Sequence, residues 1–335
     1  MIIPNFILTR ILTNQCPNKT IDLSCAHLEK RGHSILLKRI FADGVLLMVT
    51  FVWGVTFVLV QDAIQSMPVF SFLAIRFLIS GMLLFLPVLV IPSLRRTLAN
   101  VKMWIVGGVL GFWLFVGYAF QTLGLLYTSP GKAGFITGLY VILVPVFSIF
   151  ILRHMPTRFA WLGVALAAVG LFFLTFDHTG HLNLGDVFEF FCAISFALQI
   201  VYVGKHTQQF AALPMTAIQI TLVGLLSLIT GAATHVNFTS SLHALTNWTV
   251  INALWICILL ATVLAYLAQM VFQKFTTATR TALVFSMEPV FAALSAFIMI
   301  HEIMTPLAMV GSGLILVGMV VAELGGQEKV LQQTV

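Results

Sequence analysis

A carboxyl and a guanidinium stand inside apolar stretches of this sequence, where each is expensive to place. Glu288 lies eight residues into one such stretch, directly before Pro289, and Arg76 about seven residues into another. An ionisable side chain in the middle of a membrane helix costs roughly 2.5–3.5 kcal/mol on insertion scales. A carboxyl in that setting can carry a proton or hold a cationic group, or it can hydrogen-bond to a neighbouring helix. Proline removes a backbone donor and frees a carbonyl, so Glu288-Pro289 marks a local break, which hydrocarbon tolerates beside a cavity. Arg76, roughly 10 Å deep at 1.5 Å per residue, can hold a substrate carboxylate, pair with Glu189, or extend to the outer interface.

Neutral polar groups make a second set. Trp53, Thr56, Tyr140 and Gln199 fall near the centres of their apolar stretches, while Tyr118 and Gln121 are matched by Tyr266 and Gln269. Aromatic walls with a few amides suit an amphipathic organic solute; taken singly, each of these groups can equally bond across helices. Lys132 and Arg280 stand at the starts of two further stretches. They can act as anion gates, and Arg280 serves equally as an orientation signal.

These residues are positioned by helices that the composition requires. Of 335 residues, 60% are hydrophobic and 8% charged, against roughly 25% charged in soluble domains. Mean hydropathy is +1.04. Long continuous apolar runs, without the period-2 alternation of an outer-membrane barrel, predict an all-α polytopic membrane protein. Cys16, Cys25, Cys192 and Cys257 have no metal or redox spacing, and the latter two read as small core residues. There is no phosphate-cradling Gly-Lys-Ser/Thr loop, no HExxH and no supported Ser/His/Asp grouping, so no cofactor is expected. Glycines 107, 111, 163, 170, 224, 231, 311 and 318 recur at spacings of four or seven, as close helix packing requires.

Ten spans are expected at about 41–61, 69–91, 103–126, 133–152, 159–176, 185–204, 214–233, 248–272, 281–300 and 304–322. Turn signals such as Ser129-Pro130-Gly131 and Leu213-Pro214 separate them. Residues 1–40 read as a cytoplasmic extension in which Ile2–Leu12 forms an interfacial helix or a loose tail, and 323–335 as a cytoplasmic tail. With the amino terminus inside, Lys132 is the one basic residue in the outer connections; the positive-inside rule thus puts both termini in the cytoplasm. The same asymmetry accounts for the pI of about 9.3 without a nucleic-acid partner.

The chain is also written twice. Tyr118 matches Tyr266, Gln121 Gln269, Lys132 Arg280, Gly163 Gly311 and Gly170 Gly318, each 148 apart (266 − 118). Upstream, AIRF at 74–77 matches AIQI at 217–220, 143 apart (217 − 74). Pro145 and Pro289 are 144 apart, so the first copy holds its proline about one turn deeper. Five spans per half is an odd number, so the second half enters the membrane inverted. Inverted halves suit alternating access at a central site, with the lipid bilayer and a small-molecule solute as partners and proton or exchange coupling.

The stretches WGVTFVLV (53–60), AIRFLISG (74–81), TSPGKAGFITGLY (128–140), MEPVFAALSAF (287–297) and GSGLILVGMVV (311–321) resemble the drug/metabolite transporter superfamily, EamA type. The resemblance covers 41–322 and implies two five-helix EamA repeats, 41–176 and 185–322, in a ten-helix inner-membrane carrier. Such carriers are usually exporters of amino acids, metabolites or toxic compounds. The family often places an acid after the fourth and ninth spans. Here His301-Glu302 keeps it and Arg153-His154 does not. The reading is thus a secondary-active exporter of a small organic metabolite, amino acid or amphipathic compound. Two alternatives stand beside it: an uptake or exchange carrier for an anionic metabolite using Arg76, Lys132 or Arg280, and a small membrane-embedded enzyme, for which His178 and His181 are the nearest cluster.

Overall fold

The computed structural model describes residues 22–153, 155–175, 183–235, 241, 243–301 and 306–333. The Ile2–Leu12 segment, His154, His178, His181 and Glu302 lie outside the described residues. The principal helices are α1 (Asp22–Ile64), α2 (Val69–Val90), α3 (Val101–Gly124), α4 (Pro130–Gly138), α5 (Tyr140–Leu152), α6 (Arg158–Thr175), α7 (Leu184–His206) and α8 (Ala212–Ala233). They continue with α9 (Trp248–Ile258), a π-helical turn (Leu259–Leu264), α10 (Ala265–Phe272), α11 (Ala278–Phe285), α12 (Glu288–Ile300) and α13 (Pro306–Gln333).

The protein is an all-α polytopic membrane protein. Among the described residues, eight helical segments are long and apolar enough to cross a bilayer, where ten were expected. Pro130–Leu152 combines α4 and α5, Trp248–Phe275 runs through the π turn, and Ala278–Ile300 combines α11 and α12. The fifth and tenth expected spans contain shorter apolar helices, Arg158–Phe173 and Met309–Ala322. Helix α1 already begins at Asp22, so its backbone runs unbroken from the expected extension into the first span. Large apolar side chains such as Met82, Leu86, Ile105, Phe150 and Ile298 are exposed on the outside, while Phe72, Phe77, Leu114 and Val201 fill the interior. Helices apolar on both faces are those a lipid solvent selects.

Small residues set how the helices cross. A Cβ on Gly163 would lie 2.5 Å from the Gly318 carbonyl, and one on Gly170 2.5 Å from the Gly311 carbonyl. Only glycine lets the two backbones touch there. The early residue of α6 meets the late one of α13 and the late meets the early, so these two helices run antiparallel. The same crossing joins α2 and α8, where Gly81 abuts Thr221 and Gly224 abuts Leu78.

Two spans are interrupted at mid-depth. Leu139 divides α4 from α5, and Ser286-Met287 divides α11 from α12. Pro289 sits in the first turn of α12, where its missing donor costs nothing; the expected break therefore falls just before Glu288. In the first copy the break comes at Gly138-Leu139, and Pro145 lies inside α5. Ser129 caps α4 by accepting from the Lys132 backbone N–H at 3.3 Å, and Thr277 caps α11 by accepting from that of Arg280 at 3.2 Å. Each cap fixes a basic residue in the first turn of its helix.

Candidate functional site

The two interrupted spans cross at their breaks. The Tyr140 hydroxyl opens α5 and lies 2.6 Å from the Phe285 carbonyl, which ends α11, and 3.0 Å from Glu288 Oε2, which opens α12. Around this crossing a cavity of about 40 Å³ is lined by Trp53, Thr56, Arg76, Tyr118, Gln121, Tyr140, Gln199, Tyr266, Gln269 and Glu288. The ten residues singled out in the sequence as a pathway share this one cavity. Its volume holds roughly three water molecules.

Arg76 is 2% exposed. Its Nε donates to Thr262 Oγ1 at 2.9 Å and its Nη2 to the Tyr118 hydroxyl at 3.3 Å. The guanidinium also lies 4.7 Å from the Tyr118 ring centre and 4.8 Å from that of Phe77, distances at which a π face attracts a cation. It therefore neither reaches the interface nor pairs with Glu189, whose Oε2 instead accepts from Thr137 at 2.8 Å. The side chain can stay inside because the π turn and α3 supply hydroxyls, and Tyr118 and Phe77 aromatic faces, in place of water. The π turn contributes directly: it carries Thr262, and its Ala261 carbonyl accepts from Trp53 Nε1 at 2.9 Å. A π turn widens the helical ring and frees backbone groups, and such turns are frequent at functional sites.

The remaining polar lining is an amide and phenol network. Tyr266 donates to the Tyr118 hydroxyl at 2.8 Å, and Gln269 Nε2 approaches Gln199 Oε1 at 3.2 Å. Gln199 Nε2 and Gln269 Oε1 are buried without a protein partner among the described residues, leaving one donor and one acceptor beside the cavity. Trp53 packs on Tyr266 and Phe196 on Tyr118, both with ring centres 5.3 Å apart. Phe196, Phe57, Val60, Thr122, Leu125, Ile200 and Phe285 complete the lining and were not singled out. Phe196 was reachable through the 143-residue register (196 − 53).

Lys132 and Arg280 do not line this cavity. Lys132 Nζ lies 2.7 Å from Asp186 Oδ2, and Arg280 Nη2 is bonded to Asp43 Oδ2. Lys132 also lines a separate hollow of about 570 Å³ with Gln61, Tyr127, Thr128 and Asn183.

Comparison with known proteins gives this architecture a family. The EamA-like transporter family model matches residues 40–176 and again 183–323. A protein named "Uncharacterized transporter" from Archaeoglobus fulgidus is 33% identical over 309 residues, covering 92% of this chain and 94% of its own. "Uncharacterized transporter YvbV" from Bacillus subtilis is 28% identical over 194 residues, or 56% of this chain and 61% of its own. A solved structure titled "Crystal structure of protein" superposes with a TM-score of 0.67 at 19% identity, covering 85% of this chain and 97% of that one, a likeness of fold. The family matched is one of transporters, which sets aside the membrane-embedded enzyme. With a model match in both halves and a relative aligned over nearly its whole length, the chain belongs to the EamA-like transporter family.

Proposed function

We propose that the protein is a secondary-active carrier of the plasma (inner) membrane that exports a small organic metabolite, amino acid or amphipathic compound by alternating access. In this reading residues 41–176 and 185–322 are two inverted five-helix halves making ten spans. Residues 1–40 and 323–335 flank them, and both termini are cytoplasmic. The antiparallel crossings of α6 with α13 and of α2 with α8 support the inversion. The observation that carries the proposal is the origin of the lining: it comes from both copies, as matched positions facing one another. Tyr118 meets Tyr266 and Tyr140 meets Glu288, both 148 apart (266 − 118, 288 − 140). Two equivalent halves meeting at a buried site can exchange conformations and expose it to each side in turn.

In this reading Glu288 exchanges a proton for solute, and Tyr140 holds its carboxylate in the cavity wall. Arg76 takes an acidic group, Trp53, Tyr118 and Tyr266 take the apolar body, and Thr56, Gln121, Gln199 and Gln269 take the remaining polar atoms. The test uses purified protein in liposomes under an imposed pH gradient, with solutes chosen from metabolite differences between cells that carry and lack it. Wild type concentrates the solute and Glu288→Gln does not. Equal accumulation with the same pH dependence removes Glu288 from the coupling.

A second reading, exchange of an anionic metabolite, is favoured by Arg76, whose hydrogen bonds go to hydroxyls and leave its charge to a ligand. Counterflow separates the two, because an exchanger moves labelled solute only with solute on the far side.

A further inference from the structure

The two ion pairs are one arrangement built twice. Lys132 and Arg280 are matched positions (280 − 132 = 148), and so are Asp43 and Asp186 in the upstream register (186 − 43 = 143). The partners are exchanged between the copies: Lys132 of the first binds Asp186 of the second, and Arg280 of the second binds Asp43 of the first. Each pair therefore ties one half to the other, α4 to α7 and α11 to α1.

The pairs lie at opposite ends of the site. Gly134 of α4 packs on Ala292 of α12 and Gly138 on Pro289, so the two interrupted spans run antiparallel through the Tyr140–Glu288 contact. Lys132 precedes Tyr140 by eight residues, as Arg280 precedes Glu288. At 1.5 Å per residue, each pair stands about 12 Å from the crossing, on its own side of the cavity.

Their chemistry suits a bond that must break. Lys132 and Arg280 occupy the first turns of their helices, where the backbone dipole disfavours a positive charge. A capping box would carry an acid there; here the acid comes from the opposite half. That contact joins the two halves, so parting them at that end breaks it. Neither pair is sealed: Lys132 is 37% exposed beside the open hollow and Asp43 20% exposed, so water can take over when the helices part. Both pairs are formed in this structure.

We propose that Asp186 and Asp43 are positioning residues of the transport cycle, latching Lys132 and Arg280 at the two ends of the pathway and released alternately. The proposal rests on the alternating-access reading. Its test places Thr122→Cys in the cavity wall of full-length protein whose four native cysteines have been replaced. Labelling by a membrane-impermeant maleimide is then followed in right-side-out and inverted vesicles. Lys132→Gln is expected to speed labelling at least tenfold from one face, and Asp43→Asn at least tenfold from the other. The exchanged pair Asp43→Lys with Arg280→Asp is expected to restore the sidedness of the parent. Acceleration from the same face by both single variants, or from neither face, overturns the proposal. So does a failed exchange in protein that melts with the parent; if the exchanged protein does not fold, the two single variants decide. Opposite sidedness in protein that moves no solute through liposomes leaves the latches standing and removes the transport reading.

Discussion

Tyr266 donates its hydroxyl hydrogen to the hydroxyl of Tyr118 over 2.8 Å, and the two residues are the same position of the two copies. A residue touches its own counterpart only on the axis that relates them. Tyr140 and Glu288 do so again, in one case with unlike chemistry. Like meets like at the tyrosines, whereas at the second contact a phenol faces a carboxyl. In the proposed inverted arrangement the cavity is nearly two-fold, and its two charges mark where the copies have diverged: Glu288 opposite Tyr140, and Arg76 where the second copy has Gln219 (219 − 76 = 143).

The tyrosine pair is predicted to be unequal in function. The Tyr118 hydroxyl accepts from Tyr266 and also from Arg76; Tyr266 serves Tyr118. Interhelical hydrogen bonds average about 0.6 kcal/mol. Tyr266→Phe should therefore lower stability by less than about 1 kcal/mol and leave Arg76 in place. Tyr118→Phe also removes one of the two hydrogen bonds of the guanidinium, leaving the one to Thr262, and its transport rate should fall roughly tenfold further. Thermal melting with liposome flux checks both, and equal losses of flux would show that the Arg76 contact does not matter to transport.

The α6–α13 crossing gives a packing prediction with its control on the partner helix. Gly163→Ala places a methyl 2.5 Å from the Gly318 carbonyl, whereas Gly313 of α13 has open space around its Cα. Overpacking costs about 1–3 kcal/mol, so Gly163→Ala should melt several degrees lower. Gly313→Ala should melt with wild type, and slightly higher if helix propensity is felt. Melting of the two purified variants in one detergent decides it.

The duplication, eight crossing segments and ten of the seventeen residues lining the cavity were legible in the sequence, because each leaves a mark in composition or register. Ten uncommon polar residues in apolar runs were enough to name most of the polar wall. The ion pairs were not legible. Lys132 and Arg280 stood out, but Asp43 and Asp186 were not singled out, and the contact joins chain 237 residues apart in one case and 54 in the other. The π turn left no signal either, since Leu259–Leu264 is uniformly apolar apart from Thr262. For Arg76 the sequence left three settings open, because its hydroxyl partner Thr262 sits in that turn.

Glu189 offers a test of local fit. It is fully buried, bonded to Thr137 through one oxygen, with the other without a hydrogen-bond partner among the described residues. A Cβ on Gly124 would stand 2.6 Å from that second oxygen. Gly124→Ala should cost about 1–3 kcal/mol by displacing the carboxyl from Thr137. In a Glu189→Ala background the same substitution should cost less than about 0.5 kcal/mol, which a double-mutant cycle measures. A cost that persists without the carboxyl would place the strain in the α3 backbone.

Arg76→Gln separates the role of the charge from the role of the fold. Glutamine is the residue the second copy has at this position, and Gln219 is buried there with neither side-chain amide atom partnered among the described residues. The helix geometry therefore accommodates it. Removing a buried guanidinium also removes the cost of keeping that charge out of water, so the variant should melt at or slightly above wild type. In the proposed reading it loses the fixed fork that would hold a carboxylate, which lysine, a point charge on a flexible stem, does not replace. Flux of an acidic solute should fall at least tenfold in Arg76→Gln and stay depressed in Arg76→Lys. A neutral analogue of the same size should pass nearly unchanged. If acidic and neutral solutes decline together, Arg76 holds the helices in register and does not select the cargo. If neither declines, its charge is idle in transport, and the divergence from Gln219 has no bearing on the solute.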